Sequence, residues 1–119
     1  MNENLYHYRA QITDIYDGDT CTADIDLGMN IWMKGEKLRL YRINAPELRG
    51  EERPNGLLAR DFFRALVQDK EITLQTVKDR KEKYGRYLAE IWFKDETGEW
   101  RNVNDLMVQN GHAKYQNYE

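Results

Sequence analysis

Apolar and polar residues alternate in short runs along much of the chain, a period of two that predicts strands. Tyr6, Tyr8, Ala10 and Ile12 alternate through a first segment reaching Tyr16. Asp17-Gly18 follows, a pair that favours positive backbone angles and a hairpin. Cys21, Ala23, Ile25 and Leu27 then share one face of a second strand from Thr20 to Leu27. After a turn at 28–30, a third strand is predicted from Ile31 to Ile43, broken at Lys34-Gly35 by a bulge. These three strands read as an antiparallel meander.

The period changes after Pro54-Asn55. Leu58, Phe62, Ala65 and Leu66 recur at helical spacing and predict a helix over about 56–68. Strands return at 70–77 and 87–94, and a short helix is predicted over 102–111. Val103, Leu106 and Met107 share its face, with Gly111 at the C-cap. The tail from His112 is read as a last strand segment or a surface segment. Five strands with a helix between the third and the fourth is the order of an OB-fold, a small, partly open α+β barrel that often binds oligonucleotides.

Composition narrows the class. The 119 residues suit one domain over 1–119, and 40% hydrophobic content with fourteen aromatic residues can fill one core. The single cysteine, Cys21, permits no internal disulfide and reads as a small buried apolar residue. No basic start with an apolar run opens the chain, and no window approaches the roughly 20 apolar residues of a membrane helix. A monomeric, cytoplasmic protein without membrane contact is expected. The net charge of −3 argues against a non-specific nucleic-acid coat but not against a local basic patch. Lys78, Arg80, Lys81, Lys83 and Arg86 form such a patch, diluted by Asp79 and Glu82.

Three clusters fall at strand ends: Asp17-Gly18-Asp19-Thr20, the run from Arg39 to Glu47, and Lys83-Tyr84-Gly85-Arg86. In a meander, the start of the second strand lies beside the end of the third. Asp19 can then meet the corner from Asn44 to Glu47 in an oxygen-rich pocket, the kind that suits a hard cation such as Ca²⁺. Nearby arginines have a matching use, because their planar forks bind phosphate oxygens in pairs. A cation, two arginines and a carboxylate are what phosphodiester hydrolysis needs.

The three clusters resemble those of the staphylococcal nuclease (thermonuclease) family. That family carries Asp-Gly-Asp-Thr, an Arg followed by Asp-Thr-Pro-Glu or Asp-Ala-Pro-Glu, and Tyr-Gly-Arg. Here they stand as Asp17-Gly18-Asp19-Thr20, Arg39 with Asn44-Ala45-Pro46-Glu47, and Tyr84-Gly85-Arg86. The resemblance runs from about residue 10 to residue 114 and includes Gly111-His112-Ala113-Lys114. It implies an SNase-like OB-type barrel with three helices and a Ca²⁺-dependent nuclease acting on DNA or RNA and leaving 3′-phosphate ends. Carried over by position, Asp19 and Asn44 are metal ligands and Ala45 offers its carbonyl. Thr20 supports that site, Glu47 activates or positions water, and Arg39 and Arg86 hold the phosphate.

Two departures stand out. Asn44 replaces an aspartate, so the site loses a ligand charge and weaker metal binding with activity kept is expected. The tail tyrosines, Tyr115 and Tyr118, do not match the register of the family's nucleotide-stacking tyrosines, and the loop after Glu47 is shorter. A family member that has lost catalysis and binds nucleic acid or protein is the alternative. Elsewhere the readings are plainer. Asp17 is a turn residue, Arg42 faces solvent or the substrate rim, and Trp32, Trp92 and Trp100 pack in the barrel. His7 and His112 are too few and too far apart for a zinc site. The run from Lys78 to Arg86 is a solvated loop able to steer a polyanion.

Overall fold

The computed structural model describes residues 5–117. Strands β1 (His7–Asp17), β2 (Thr20–Gly28) and β3 (Ile31–Leu40) form the expected meander, and β5 (Ile72–Lys81) and β6 (Tyr87–Lys94) continue the sheet. Between them lie the short β4 (Ile43–Asn44) and helix α1 (Arg53–Val67). Strand β7 (Trp100–Asn102), helix α2 (Val103–Gln109) and β8 (Lys114–Tyr115) complete the order. The sheet runs β3-β2-β1-β5-β6-β7, and a parallel pairing of β3 with β6 closes five strands into the OB-type barrel. That closure sets Arg39 opposite Leu88, two residues from Arg86.

Alternation fills the interior. Cys21, Ala23 and Ile25 of β2, Leu38 and Leu40 of β3, Leu74 of β5 and Ile91 of β6 are buried. The bulge expected at Lys34-Gly35 is present: the register shifts there, Gly35 has φ +68°, and its N–H donates to Asp24 Oδ1 at 2.9 Å. Strand β3 ends at Leu40, not at Ile43. Arg42, at φ +70°, turns the chain so that Ile43 and Asn44 pair with Tyr115 and Lys114 of the tail.

Helix α1 starts at Arg53, because Pro54 falls in the first turn, where a missing N–H costs nothing. Its buried face differs from the expected one. Gly56, Ala59, Phe63 and Val67 are buried, while Leu58 and Ala65 are exposed. Close approach selects small residues here: a Cβ on Gly18 would lie 2.8 Å from the Ala59 Cβ and 2.7 Å from the Ala45 Cβ. Gly18 is therefore a matter of space, since its φ is not positive as the Asp-Gly pair suggested.

Helix α2 carries the predicted cap. His112 N–H donates to the Met107 carbonyl and Gly111 N–H to that of Val108, with Gly111 at φ +78°. At its other end Asn102 accepts from Asp105 N–H at 2.8 Å. The tryptophans depart from the packing expected of them. Inward positions of β6 hold Ile91 and Phe93, so Trp92 lies on the outer face against His7, with ring centroids 5.8 Å apart. Trp32 and Trp100 are exposed, each under a lysine, Lys34 and Lys94. Among the described residues no helix is long and apolar enough to cross a membrane.

Candidate active site

The β1–β2 turn is a two-residue loop closed by the pair Asp17 and Thr20. Asp17 Oδ1 accepts from Asp19 N–H at 3.1 Å, the self-bonded turn its sequence suggests. This turns the Asp19 side chain inward, where it is 5% exposed. Its Oδ2 accepts from Ala45 N–H at 2.7 Å and lies 3.3 Å from Arg39 Nη2. Its Oδ1 accepts from the Thr20 hydroxyl at 3.2 Å. Burial pushes the Asp19 carboxyl up to about 6, against the opposing pull of Arg39.

Arg39 is fixed by the chain around it. Nη1 donates to the carbonyls of Leu40 at 2.7 Å and Ile43 at 3.0 Å, and Nη2 donates to Asn44 Oδ1 at 3.3 Å. Arg86 arrives from the β5–β6 hairpin, with Nη1 3.5 Å from Thr20 Oγ1. Asp19, Thr20, Arg39, Asn44, Ala45 and Arg86 are thus linked in one place, although they come from four separate stretches of chain.

Glu47 stands apart. Its carboxylate is exposed and paired with Arg49 Nε at 2.9 Å. With Tyr16 and Asp17 it lines a cavity of about 220 Å³ at the rim. Its backbone is held more firmly: Glu47 N–H donates to Glu52 Oε1 at 2.9 Å, and Gly56 packs on its carbonyl.

Among the described residues no three His, Cys, Asp or Glu side chains converge to hold a metal. The donor set at the centre is one carboxylate, Asp19, and one amide oxygen, Asn44, both touched by Arg39. Six to eight oxygens surround a typical Ca²⁺. These two oxygens could supply only part of such a shell.

Two residues central to the arrangement escaped the sequence reading. Glu82 grips Arg86, accepting from Nε at 3.2 Å and Nη2 at 3.0 Å. An acid four residues before an arginine has a known meaning on a helix, but here the pair spans a hairpin turn. Arg42, expected to face solvent or the substrate rim, is half-buried and held by internal partners. It forks onto Glu90, bonds Asp105 at 3.1 Å, and lies over the Tyr115 ring. Tyr115 bonds Asp105 in turn at 2.9 Å, so that group latches the tail to the β3–β4 turn. Tyr118 lies outside the described residues.

Comparison with known proteins settles the family. The profile of the staphylococcal nuclease homologue family matches residues 37–119. The chain belongs to that family. It is 28% identical to the thermonuclease of Staphylococcus hyicus over 120 residues, covering 98% of this chain and 62% of that protein. The thermonuclease of Staphylococcus intermedius is 31% identical over 85 residues, 69% of this chain and 47% of the relative. An uncharacterized protein of Methanocaldococcus jannaschii is 24% identical over 129 residues, 91% and 59% of the two chains. The chain therefore spans about half to three-fifths of the length of these relatives. The family match begins at residue 37 and takes in Arg39, Asn44, Glu47 and Arg86, while the Asp19 turn lies before it and inside the Staphylococcus hyicus alignment.

Proposed function

We propose that residues 1–119 form one domain that hydrolyses phosphodiester bonds in DNA or RNA with the help of a divalent cation, Ca²⁺ by the nature of its oxygen donors. The observation that carries this reading is the meeting of Arg39 and Arg86 at the Asp19-Thr20 turn. The two thermonucleases among the relatives support it at the level of nuclease chemistry.

Each residue has a role that follows from its setting. Arg39 is held by two carbonyls before substrate arrives, so little reorganisation is needed to stabilise a developing phosphate charge. Arg86 presents Nη1 to the same place while Glu82 occupies its other edge. Asp19 and Asn44 would hold the cation with the Ala45 carbonyl, and Thr20 steadies Asp19. A bound cation supplies Lewis-acid polarisation of the phosphoryl group. Glu47 takes a proton from the attacking water as the new phosphorus–oxygen bond forms and the leaving oxygen departs, to be protonated from solvent. Its pairing with Arg49 is no obstacle, since an ion pair between two exposed side chains is weak in water.

A second reading has its own support. Arg39 bonds both oxygen donors of the centre, and Asn44 brings no charge. A site so balanced could bind nucleic acid without cutting it. Hydrolysis of single-stranded DNA with Ca²⁺, Mg²⁺ or chelator, beside Glu47→Gln and Arg86→Ala, separates the two. Cation-dependent cleavage abolished by both substitutions supports the enzyme. Binding without cleavage under every cation supports the binding module.

A further inference from the structure

The corner that carries Asn44 and Ala45 is reached through a backbone conformation that its residue does not favour. Arg42 has φ +70°, in the left-handed region that side chains of its kind rarely visit. Such a residue persists only where its surroundings impose it. Before Arg42 the chain is anchored. Tyr41 N–H donates to the Ala89 carbonyl at 2.9 Å, and the Tyr41 carbonyl accepts from the buried Asn104 amide at 2.9 Å. After Arg42 comes β4, two residues long and paired, among the described residues, with β8 alone. The angle taken at Arg42 therefore sets the direction of β4.

Three elements hold that angle through the side chain. The guanidinium forks onto Glu90 of β6, donates to Asp105 of α2 at 3.1 Å, and lies over the Tyr115 ring of β8. Each acid is held in turn: Glu90 accepts from Asn102 Nδ2 at 3.0 Å, and Asp105 from the Tyr115 hydroxyl at 2.9 Å. The Arg42 carbonyl accepts from Gln116 N–H at 2.8 Å. Hydrogen bonds between charged groups are the stronger ones, and Arg42, Glu90 and Asp105 are all half-buried.

The next three residues belong to the candidate centre. The Ile43 carbonyl accepts from Arg39 Nη1 at 3.0 Å, Asn44 Oδ1 accepts from Nη2 at 3.3 Å, and Ala45 N–H donates to Asp19 Oδ2 at 2.7 Å. A turn that opened would carry all three away together. We propose that Arg42, held by Glu90, Asp105 and Tyr115, is a positioning residue: the latch imposes the left-handed turn that aims Asn44 at Arg39 and Ala45 at Asp19. The inference rests on the reading of that centre as the reacting one.

Arg42→Gly and Arg42→Ala test it in the full chain. Glycine takes a positive φ freely and alanine does not, while both leave Glu90 and Asp105 without the guanidinium. Two quantities are read: kcat/KM on single-stranded DNA with Ca²⁺, and hydrogen exchange at the Ala45 amide without it, relative to the core amides of β5. Arg42→Ala should lose about tenfold or more in kcat/KM and exchange faster at Ala45, since a misplacement of about 1 Å can cost about a hundredfold in rate. Arg42→Gly should regain most of both. That order reverses what removal of a side chain alone gives, because glycine leaves the chain looser than alanine. Tyr115→Phe should speed Ala45 exchange in the parent and change nothing in the Arg42→Gly background, and this pair decides the matter if Arg42→Ala fails to fold. Glycine no better than alanine, parent values for alanine, or an equal effect of Tyr115→Phe in both backgrounds would overturn the proposal. A parent that cleaves nothing with Ca²⁺ would overturn the hydrolytic reading instead, and exchange at Ala45 would still decide whether the latch holds the turn.

Discussion

Glu82 embraces Arg86 from two sides at once. Its carboxylate accepts from Nε and Nη2 of the guanidinium, and Oε1 also accepts from the backbone N–H of Tyr84 and of Arg86 itself. One carboxylate therefore shapes the hairpin turn and leaves Arg86 Nη1 facing Thr20. The hydrogen bonds from Arg86 hold the Glu82 carboxyl below its ordinary range. A depressed acid contributes stability above its unfolded value and loses that contribution as pH falls through the folded one. Glu82→Gln is expected to destabilise the protein by about 1.5–3 kcal/mol at neutral pH, the range for hydrogen bonds to charged groups. Urea midpoints measured from pH 7 down to pH 3 should show the variant and the parent converging. A gap that stays constant with pH would rule out the charged contact as its source.

Asn44→Asp tests the missing charge. Asn44 Oδ1 lies 3.3 Å from Arg39 Nη2, in line with Asp19. A second carboxylate there should tighten Ca²⁺ on the order of tenfold, since affinity follows ligand charge. Calorimetric titration of the parent and the variant gives the answer directly.

Asp19 should set the pH dependence of that binding. A carboxylate must be ionised to ligate a cation, and burial raises this one to about 6. Between the ordinary aspartate value and about 6, the cation-free native state holds the proton more tightly than the unfolded chain does. Stability from this group therefore declines as pH rises through the window, and Ca²⁺ affinity rises over the same range. Isotherms at pH 5 and pH 7 should differ clearly. Equal affinities would place the cation elsewhere.

Gly56→Ala reverses a usual rule. Alanine in a helix interior is favoured over glycine by about 0.8–1.0 kcal/mol. At Gly56 the new Cβ would lie 2.4 Å from the Glu47 carbonyl oxygen, which is backbone and cannot rotate away. Overpacking of that kind costs typically 1–3 kcal/mol, so the clash wins. A lowered melting temperature and a loss of cleavage through displaced Glu47 are expected. Activity equal to the parent's would show that the Glu47 backbone position does not matter to the reaction.

The sequence by itself determined the strand alternation, the Gly35 bulge, the cap at Gly111 and the three clusters on which the family resemblance rests. Those features are local: side-chain period, turn chemistry and capping act within a few residues. The tertiary structure decided what depends on approach between distant segments. It chose Ala59 over Leu58 for the face of α1, because Gly18 leaves room only for small neighbours. It placed Trp32 and Trp100 outside, because β-strand parity filled the interior with smaller residues. It drew Arg42 into the tail latch. At the candidate site, the sequence named Asp19, Arg39, Asn44, Glu47 and Arg86, and closure of β3 on β6 brought Arg39 and Arg86 together. The Glu82 grip was not legible beforehand, because it depends on irregular hairpin backbone that no periodicity encodes.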